Sequence, residues 1–493
     1  MRLLRECCSG CAYCVMVCPQ DALATDGWAY LLPERCTDCN LCYYACPHRC
    51  FVPDRELRPL RHNIATHYHG LVVGAGIGGL MTAAALARRG RRVAVFEQLS
   101  FPGGRYTELS YRGAAVTTAA WTSLGPKSHI GRFLAELGIG QNPEGDGLRY
   151  ISLRDIGLRE QYAIRFPDGR HYASLQQMLP PEGYRAWMRA IVCGRRGVPE
   201  DVSAHDYVAG FCSDTNLLAV VDAIAITASG VSSRAMPANE FIQIVLDSAA
   251  AGTDFAMPAG GVVAIIDALV HTLKAHGGEL HLGSRVQRIL LTQGRACGIE
   301  LADGQQITGD VVVHNAGPSA LIRLLGSDNL PADYCARLRS LKGVECAAIF
   351  FATREPLFED APILMTPGCQ RIAGIFSPTR FDPSLSRDGL HLYDAFLPLH
   401  SADRKAELAL ALDDLHRLFP HLDTVLVWHL PMFFTDGWPG TETAQTFGQT
   451  GQQRLATHTP VPGLYLVGMD VQGSGVAGDL IPLGVRRLLD EIG

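Results

Sequence analysis

The chain has no excess of positive charge, no long apolar run and few aromatic residues. Its 493 residues carry a formal net charge of −6, and only 8% of them are aromatic. Without a basic tail or stripe it offers a phosphate backbone nothing to pair with, so no nucleic acid partner is expected. No low-complexity tract occurs. The longest candidate for a membrane span, Leu71 to Ala87, is seventeen uncharged residues, short of the roughly 20 that a spanning helix needs. It is also interrupted by Gly74, Gly76, Gly78 and Gly79, which makes it a strand, turn and helix of a soluble domain. No transmembrane segment is therefore expected, although a peripheral membrane contact through an amphipathic surface stays open. The opening MRLLRECCSGC reaches its cysteines before an apolar signal core can form, so a secretory signal peptide is not expected and a reducing, cytoplasmic location is. What is plentiful is apolar sequence: 47% of residues, with 19% charged, suits a folded chain with a sizeable core. The length allows about three domains.

Cysteine is concentrated rather than abundant. Ten of the 16 cysteines lie in the first fifty residues. Residues 8–19 read C-S-G-C-A-Y-C-V-M-V-C-P and residues 36–47 read C-T-D-C-N-L-C-Y-Y-A-C-P, the same C-x2-C-x2-C-x3-C-P pattern repeated at an offset of 28. Three cysteines spaced in this way wrap a loop around three corners of a cubane, and the fourth, turned away by its proline, ligates the other cluster. On that rule Cys8, Cys11, Cys14 and Cys46 hold one [4Fe–4S] cluster, and Cys36, Cys39, Cys42 and Cys18 hold a second. Zinc also uses C-x2-C pairs, but a tetrahedral site leaves the third cysteine of each triplet unexplained. The segment resembles the bacterial two-cluster ferredoxins, with all eight ligand positions filled. Cys7 and Cys50 fall outside the pattern and read as idle or buried thiols. Residues 1–50 hold four arginines against five acidic residues. Two oxidised clusters of charge −2 each bring the segment to about −5, so a basic surface should face it. Arg55, Arg58 and Arg61, with Pro53 and Pro59, read first as a solvated linker and second as part of that surface.

Residues 70–97, GLVVGAGIGGLMTAAALARRGRRVAVFE, are an apolar strand, a glycine turn, an Ala/Leu-rich helix and a second strand ending in an acid. In the turn, Gly74 permits the tight bend, Gly76 the approach of backbone to a pyrophosphate, and Gly79 close packing of helix on strand. Glu97 lies where a carboxylate accepts hydrogen bonds from ribose hydroxyls. No second fingerprint of this kind follows a strand elsewhere, so no NAD(P)H domain is visible.

The sequence after Glu97 points to FAD. Phe101-Pro-Gly103-Gly104-Arg105 resembles the GG-R signature of the amine oxidase and phytoene desaturase group of flavoproteins. Met257-Pro-Ala-Gly-Gly261 is similar to the family's P-x-GG segment, and the run from Gly278 to Val286 to its strand whose valine meets the adenine through the backbone. Asp310-Val-Val-Val-His-Asn-Ala-Gly-Pro318 resembles the strand returning to the cofactor. The run from Gly463 to Val476, containing Gly468 and Asp470, resembles the closing strand and glycine-rich turn over the flavin. Many members have Gly-Asp at that point, whereas here Met469 intervenes.

The resemblance implies an α/β and α+β multidomain chain. Residues 1–60 form the ferredoxin-like 2[4Fe–4S] domain. Residues 66–115, 250–318 and 440–493 form a Rossmann-type FAD domain, and 116–249 with 319–439 form an inserted mixed-sheet substrate domain. Glu345–Phe351 and Thr424–His429 read as strands of that sheet, and Lys405–Asp413 as helix. No acid or base stands out. His314, Trp121, His129, Trp428 and His429 read as packing or surface before catalysis, and the remaining cysteines as ordinary thiols. The expected activity is FAD-mediated reduction or desaturation of a C=C or C–C bond in an apolar, isoprenoid-like small molecule. Reduction is slightly favoured, and electrons are exchanged with an external one-electron carrier such as ferredoxin. A redox-neutral isomerase and an electron-transfer subunit without its own substrate are the alternatives. Protein purified without oxygen is expected to contain about eight irons and one FAD per chain by metal and flavin analysis. Stoichiometric zinc with little iron would remove the cluster assignment.

Overall fold

A computed structural model describes residues 1–54, 64–120, 124–141, 147–435 and 440–493. Arg55, Arg58, Arg61 and Trp121, all named above, lie outside these.

The cysteine repeat folds as two matching halves. The short helices α1 (Tyr13–Met16) and α2 (Leu41–Ala45) each follow a cysteine pair at the same 28-residue offset. The outer strands β1 (Arg2–Leu3) and β4 (Phe51–Val52) pair antiparallel, as do β2 (Leu23–Thr25) and β3 (Ala29–Leu31). The match extends to unusual backbone: Gly10 and Asp38, Ala12 and Asn40, and Asp21 and Arg49 are pairs 28 apart, and all six have positive φ. Five of these six are not glycine, and a non-glycine residue in the left-handed region costs about 1–3 kcal/mol. Such strain persists where a loop is bent for a purpose.

The central sheet is built from remote pieces. Its order is β13 (Glu279–His281), β6 (Val93–Phe96), β5 (His67–Val73), β16 (Gln306–His314), β15 (Arg295–Leu301), β14 (Val286–Thr292), with β22 (Leu464–Leu466) also pairing with β16. The strands β13, β6, β5, β16 and β22 run parallel. Parallel strands are covered on both faces. Accordingly, helix α3 (Ile77–Arg88) is buried from Ile77 to Ala87. The helices Val263–Ala275 and Ile481–Ile492 pack against α3.

A hairpin of β7 (Glu108–Tyr111) and β8 (Ala114–Thr117) leads out of this sheet, and β9 (Tyr150–Ser152) pairs with β12 (Ala256–Pro258). A second seven-stranded sheet draws from both intervening regions. Its order is β11 (His171–Tyr172), β10 (Tyr162–Arg165), β18 (Ile363–Met365), β19 (Gly374–Phe376), β20 (His391–Pro398), β17 (Cys346–Thr353), β21 (Leu426–Phe434). The expected strand at Thr424–His429 begins later, because Leu422–Val425 closes a helical turn and only Leu426 onward is extended. Among the described residues no helix is long and apolar enough to cross a membrane.

The cysteine segment sits against this second sheet. Phe433 donates its N–H to the Gly10 carbonyl at 3.0 Å. Arg404, at the start of the helix Arg404–Leu418, donates to the carbonyls of Gly27 (3.0 Å) and Cys8 (3.5 Å) and lies over the rings of Trp28 and Phe433. Lys405 pairs with Asp26 at 2.8 Å. Two basic side chains, Arg404 and Lys405, thus reach the cysteine segment from a helix more than 340 residues away in sequence. Arg404→Ala is expected to destabilise this docking by about 2 kcal/mol, from lost charged hydrogen bonds and ring contacts. Hydrogen exchange should show faster opening of residues 1–54, whereas exchange in β5 and β16 should be unchanged.

Candidate functional site

Three strand ends meet at one level, because His314 on β16 is opposite Val73 on β5 and Leu466 on β22. Beyond these ends the chain turns at Gly74, Asn315 and Gly468, and a pocket opens between them. Gly76, Gly78, Gly103, Gly104, Arg105, Asn315, Gly468 and Asp470 all line it. Gly74 makes the bend with φ 99°, and a Cβ on Gly79 would come within 2.3 Å of the Gly74 carbonyl. A Cβ on Gly76 or Gly78 would stand 2.6 or 2.8 Å from the Asn315 amide. That amide accepts from the Gly76 N–H at 3.3 Å and donates to the Val467 carbonyl at 3.2 Å. The start of α3, capped by Gly76, has no side-chain acceptor. Its first N–H groups are therefore available to an anion, with the helix dipole behind them. The GG-R loop is fixed to this turn by the Gly103 N–H donating to the Ala75 carbonyl at 2.8 Å. This cradle, open to backbone approach and ending in helix N–H donors, fits a dinucleotide pyrophosphate.

Glu97 is buried. Its two oxygens accept the N–H groups of Ala75 (2.8 Å) and Leu99 (2.9 Å), so it braces the turn, and burial raises its pKa. Val286 opens β14 with its side chain in the core and is not among the pocket residues. The Ser284 N–H, two positions earlier, donates to the Glu97 carbonyl at 2.7 Å, which keeps this backbone beside Glu97. Arg105 reaches Met469 Sδ (2.8 Å) and Asp470 (3.5 Å), and Asp470 accepts the Thr443 N–H at 3.0 Å. Met469 is therefore accommodated by placing its sulfur against the guanidinium. His314 lines the pocket, fully buried, and burial lowers its pKa to about 4, so its ring is neutral at physiological pH. Trp428 stacks on Phe350 and packs edge-on to Tyr111, whereas His129 opens a helix whose N–H groups are accepted by Asp479. His429 is exposed.

Sequence reasoning missed several buried polar residues. Glu240, at the start of the helix Ala238–Ala251, accepts from the Gly475 N–H (3.0 Å) and from Gln445 Nε2 (2.5 Å). Its Oε2 is buried without a hydrogen-bond partner, and burial raises its pKa. Glu442 accepts from the Ser319 N–H (2.6 Å) and hydroxyl (2.7 Å), and Arg454 is enclosed with its Nε and Nη1 unpartnered. No motif marks these positions. Only Asn315 lay inside a recognised stretch.

The cysteines gather in two sets. Cys11 and Cys14 are buried. Burial, reinforced by the sulfurs of Cys46 and Cys8, pushes Cys11 up to about 12. Cys14 feels Cys11, Cys46, Cys8 and also Cys42, which sets the two groups side by side. Burial likewise raises Cys42 to about 11, and its sulfur neighbours are Cys39, Cys18 and Cys36. Those four line one recess. Backbone N–H groups of Ala22, Ala29 and Cys50 point at the sulfurs of Cys18 (3.3 Å), Cys8 (3.4 Å) and Cys46 (3.3 Å). Cys50 is buried between Cys8 and Cys46, and Cys7 is exposed. Among the described residues no three or more His, Cys, Asp or Glu side chains form a group suited to one metal ion.

The fold and pocket define a dinucleotide-binding α/β protein of the Rossmann type. Residues 72–137 match the NAD(P)-binding Rossmann-like domain, and residues 237–479 match the flavin containing amine oxidoreductase family. The chain is 28% identical to a structurally characterised oxidoreductase from Methanosarcina mazei, with a TM-score of 0.76 over 85% of this chain and 99% of that one. An uncharacterized protein of Methanocaldococcus jannaschii is 27% identical over 85% of this chain and 98% of its own length. A zeta-carotene-forming phytoene desaturase from Myxococcus xanthus is 31% identical over 52% of this chain and 54% of its own. Together these support an FAD-binding oxidoreductase of the amine oxidase and phytoene desaturase superfamily.

Gly76→Ala places a methyl group against the Asn315 amide and the bound backbone. The variant is expected to bind FAD about tenfold or more weakly, measured as flavin absorbance per folded chain, with its far-ultraviolet circular dichroism unchanged.

Proposed function

We propose that the chain is an iron–sulfur flavoenzyme that couples single-electron delivery through two [4Fe–4S] clusters to a two-electron change at a C=C or C–C bond of an apolar organic substrate, in the direction of reduction. What supports this reading is the doubled C-x2-C-x2-C-x3-C-P pattern, whose two halves keep matching short helices and matching left-handed residues, with Cys18, Cys36, Cys39 and Cys42 lining one recess. The N–H groups directed at three of these sulfurs suit thiolates that share their charge with a cationic core. Similarity to phytoene desaturases supports substrate chemistry at carbon–carbon bonds.

Bound FAD supplies hydride exchange with the substrate and single-electron exchange with the clusters. The protein's part is to hold and to exclude. The α3 N-terminus and the GG-R loop bind the phosphates, Arg105 and Asp470 fix the loop beyond β22, and His314 stays neutral under the pocket. The enclosed Glu240 carboxyl holds the Gly475 N–H and the Gln445 amide, and so fixes the turn beyond β22. The external electron carrier is a ferredoxin-like protein.

A redox-neutral isomerase is the second reading. It is favoured by prolycopene isomerases from Oncidium, 23% identical over 67% of this chain and 64% of theirs. Stoichiometry separates the two. Assayed without oxygen against a panel of polyenes, the protein is expected to consume two electrons per product from reduced ferredoxin. Cys39→Ala is expected to lose one cluster and ferredoxin-dependent flavin reduction while keeping FAD. Product formed without net reductant would establish isomerisation, and normal ferredoxin reduction of the variant would remove the clusters from the path.

A further inference from the structure

An aromatic contact joins the cysteine segment to the GG-R loop of the dinucleotide site. Tyr13 lies between Cys11 and Cys14, is 0% exposed, and is the first residue of α1. Its ring centroid is 6.0 Å from that of Phe101, tilted by 56°. Phe101 leads directly into Pro102, Gly103, Gly104 and Arg105, and the last three line the pocket. Arg105 and Glu97 are among the charged groups around the Tyr13 hydroxyl. The contact is fixed from both sides. The Ser100 N–H donates to the Tyr44 carbonyl at 3.3 Å, and α1 packs against β7, which follows the GG-R loop. Across the segment the burial is graded. Cys11 and Cys14 are enclosed on the pocket side, whereas Cys39 is exposed and Cys36 half-exposed at the recess they share with Cys18 and Cys42.

From this arrangement we propose that the Tyr13–Phe101 pair is the bridge for electrons between the Cys8, Cys11, Cys14, Cys46 site and the FAD site. This rests on the iron–sulfur reading given above. The balance is two single electrons from two molecules of a reduced one-electron carrier, each oxidised once, and two protons from solvent for each two-electron reduction on the flavin side. Tyr13 and Phe101 are positioning residues. They keep the first cysteine loop in van der Waals contact with the GG-R loop through apolar atoms and exclude water from between them.

The test uses the whole protein prepared without oxygen, mixed rapidly with reduced ferredoxin in the absence of substrate. Absorbance follows the clusters and the flavin separately, and iron content and the low-temperature magnetic resonance of the reduced clusters are measured on each variant. Tyr13→Leu and Phe101→Leu are expected to keep full iron, FAD and cluster resonances and to bleach the clusters at the normal rate, but to slow the subsequent bleaching of flavin by about tenfold. Tyr13→Phe keeps the ring and is expected to restore the normal rate. Normal flavin bleaching in a fully loaded Tyr13→Leu or Phe101→Leu overturns the bridge and leaves the iron–sulfur reading intact. Absence of iron from the unaltered protein overturns that reading itself. Should Tyr13→Leu fail to load its clusters, Phe101→Leu decides, since Phe101 lies outside the cysteine loops.

Discussion

The pairing of β16 with β5 on one side and β22 on the other is the constraint on which the site depends. It joins residues near 70, 310 and 465 in one register, so that Val73, His314 and Leu466 end together. Nothing in the pocket is contributed by a single stretch of chain. The Asn315 amide reaches both the first glycine turn and Val467, and Arg105 reaches both Met469 and Asp470. Each cross-link presupposes the strand register beneath it, which is why the cradle is preformed rather than assembled by its ligand.

The second dependence is electrostatic. Burial and neighbouring sulfurs push Cys11 and Cys42 up, whereas hydrogen bonding with Cys50 pulls Cys8 and Cys46 down. Thiolates in such a place need a cationic core to share their charge. The fold answers with backbone N–H groups and with Arg404 and Lys405 at the start of a distant helix, whose N-cap Asp403 holds that helix in place. The region 319–439 therefore supplies the seat of the cysteine segment.

Much of this was legible in the sequence wherever backbone geometry dictates residue type. The glycines at 74, 76 and 79 are there because a side chain would meet Asn315 or the Gly74 carbonyl, and the cysteine repeat reappears as a repeat of helices and left-handed residues. The strand expected at Thr424–His429 was nearly legible, but Thr424 and Val425 close the helical turn Leu422–Val425, and the extended run begins at Leu426. Glu240, Glu442 and Arg454 were not legible at all. Their roles come from tertiary enclosure, which leaves no periodic or spaced trace, and an isolated acid on a helix looks like any surface acid until Gly475 is placed against it.

The seat of the first cysteine loop also imposes an order on biosynthesis. Gly10 is covered by Phe433, and Cys8 is approached by Arg404, so the partners that enclose this loop leave the ribosome some four hundred residues after it. Domains form in the order in which they are translated. During that interval the first cysteine loop lacks the cover it later gains, and in the finished molecule Cys11 and Cys14 are each only 7% exposed. The reach of this loop to solvent therefore narrows as the last quarter of the chain folds over it.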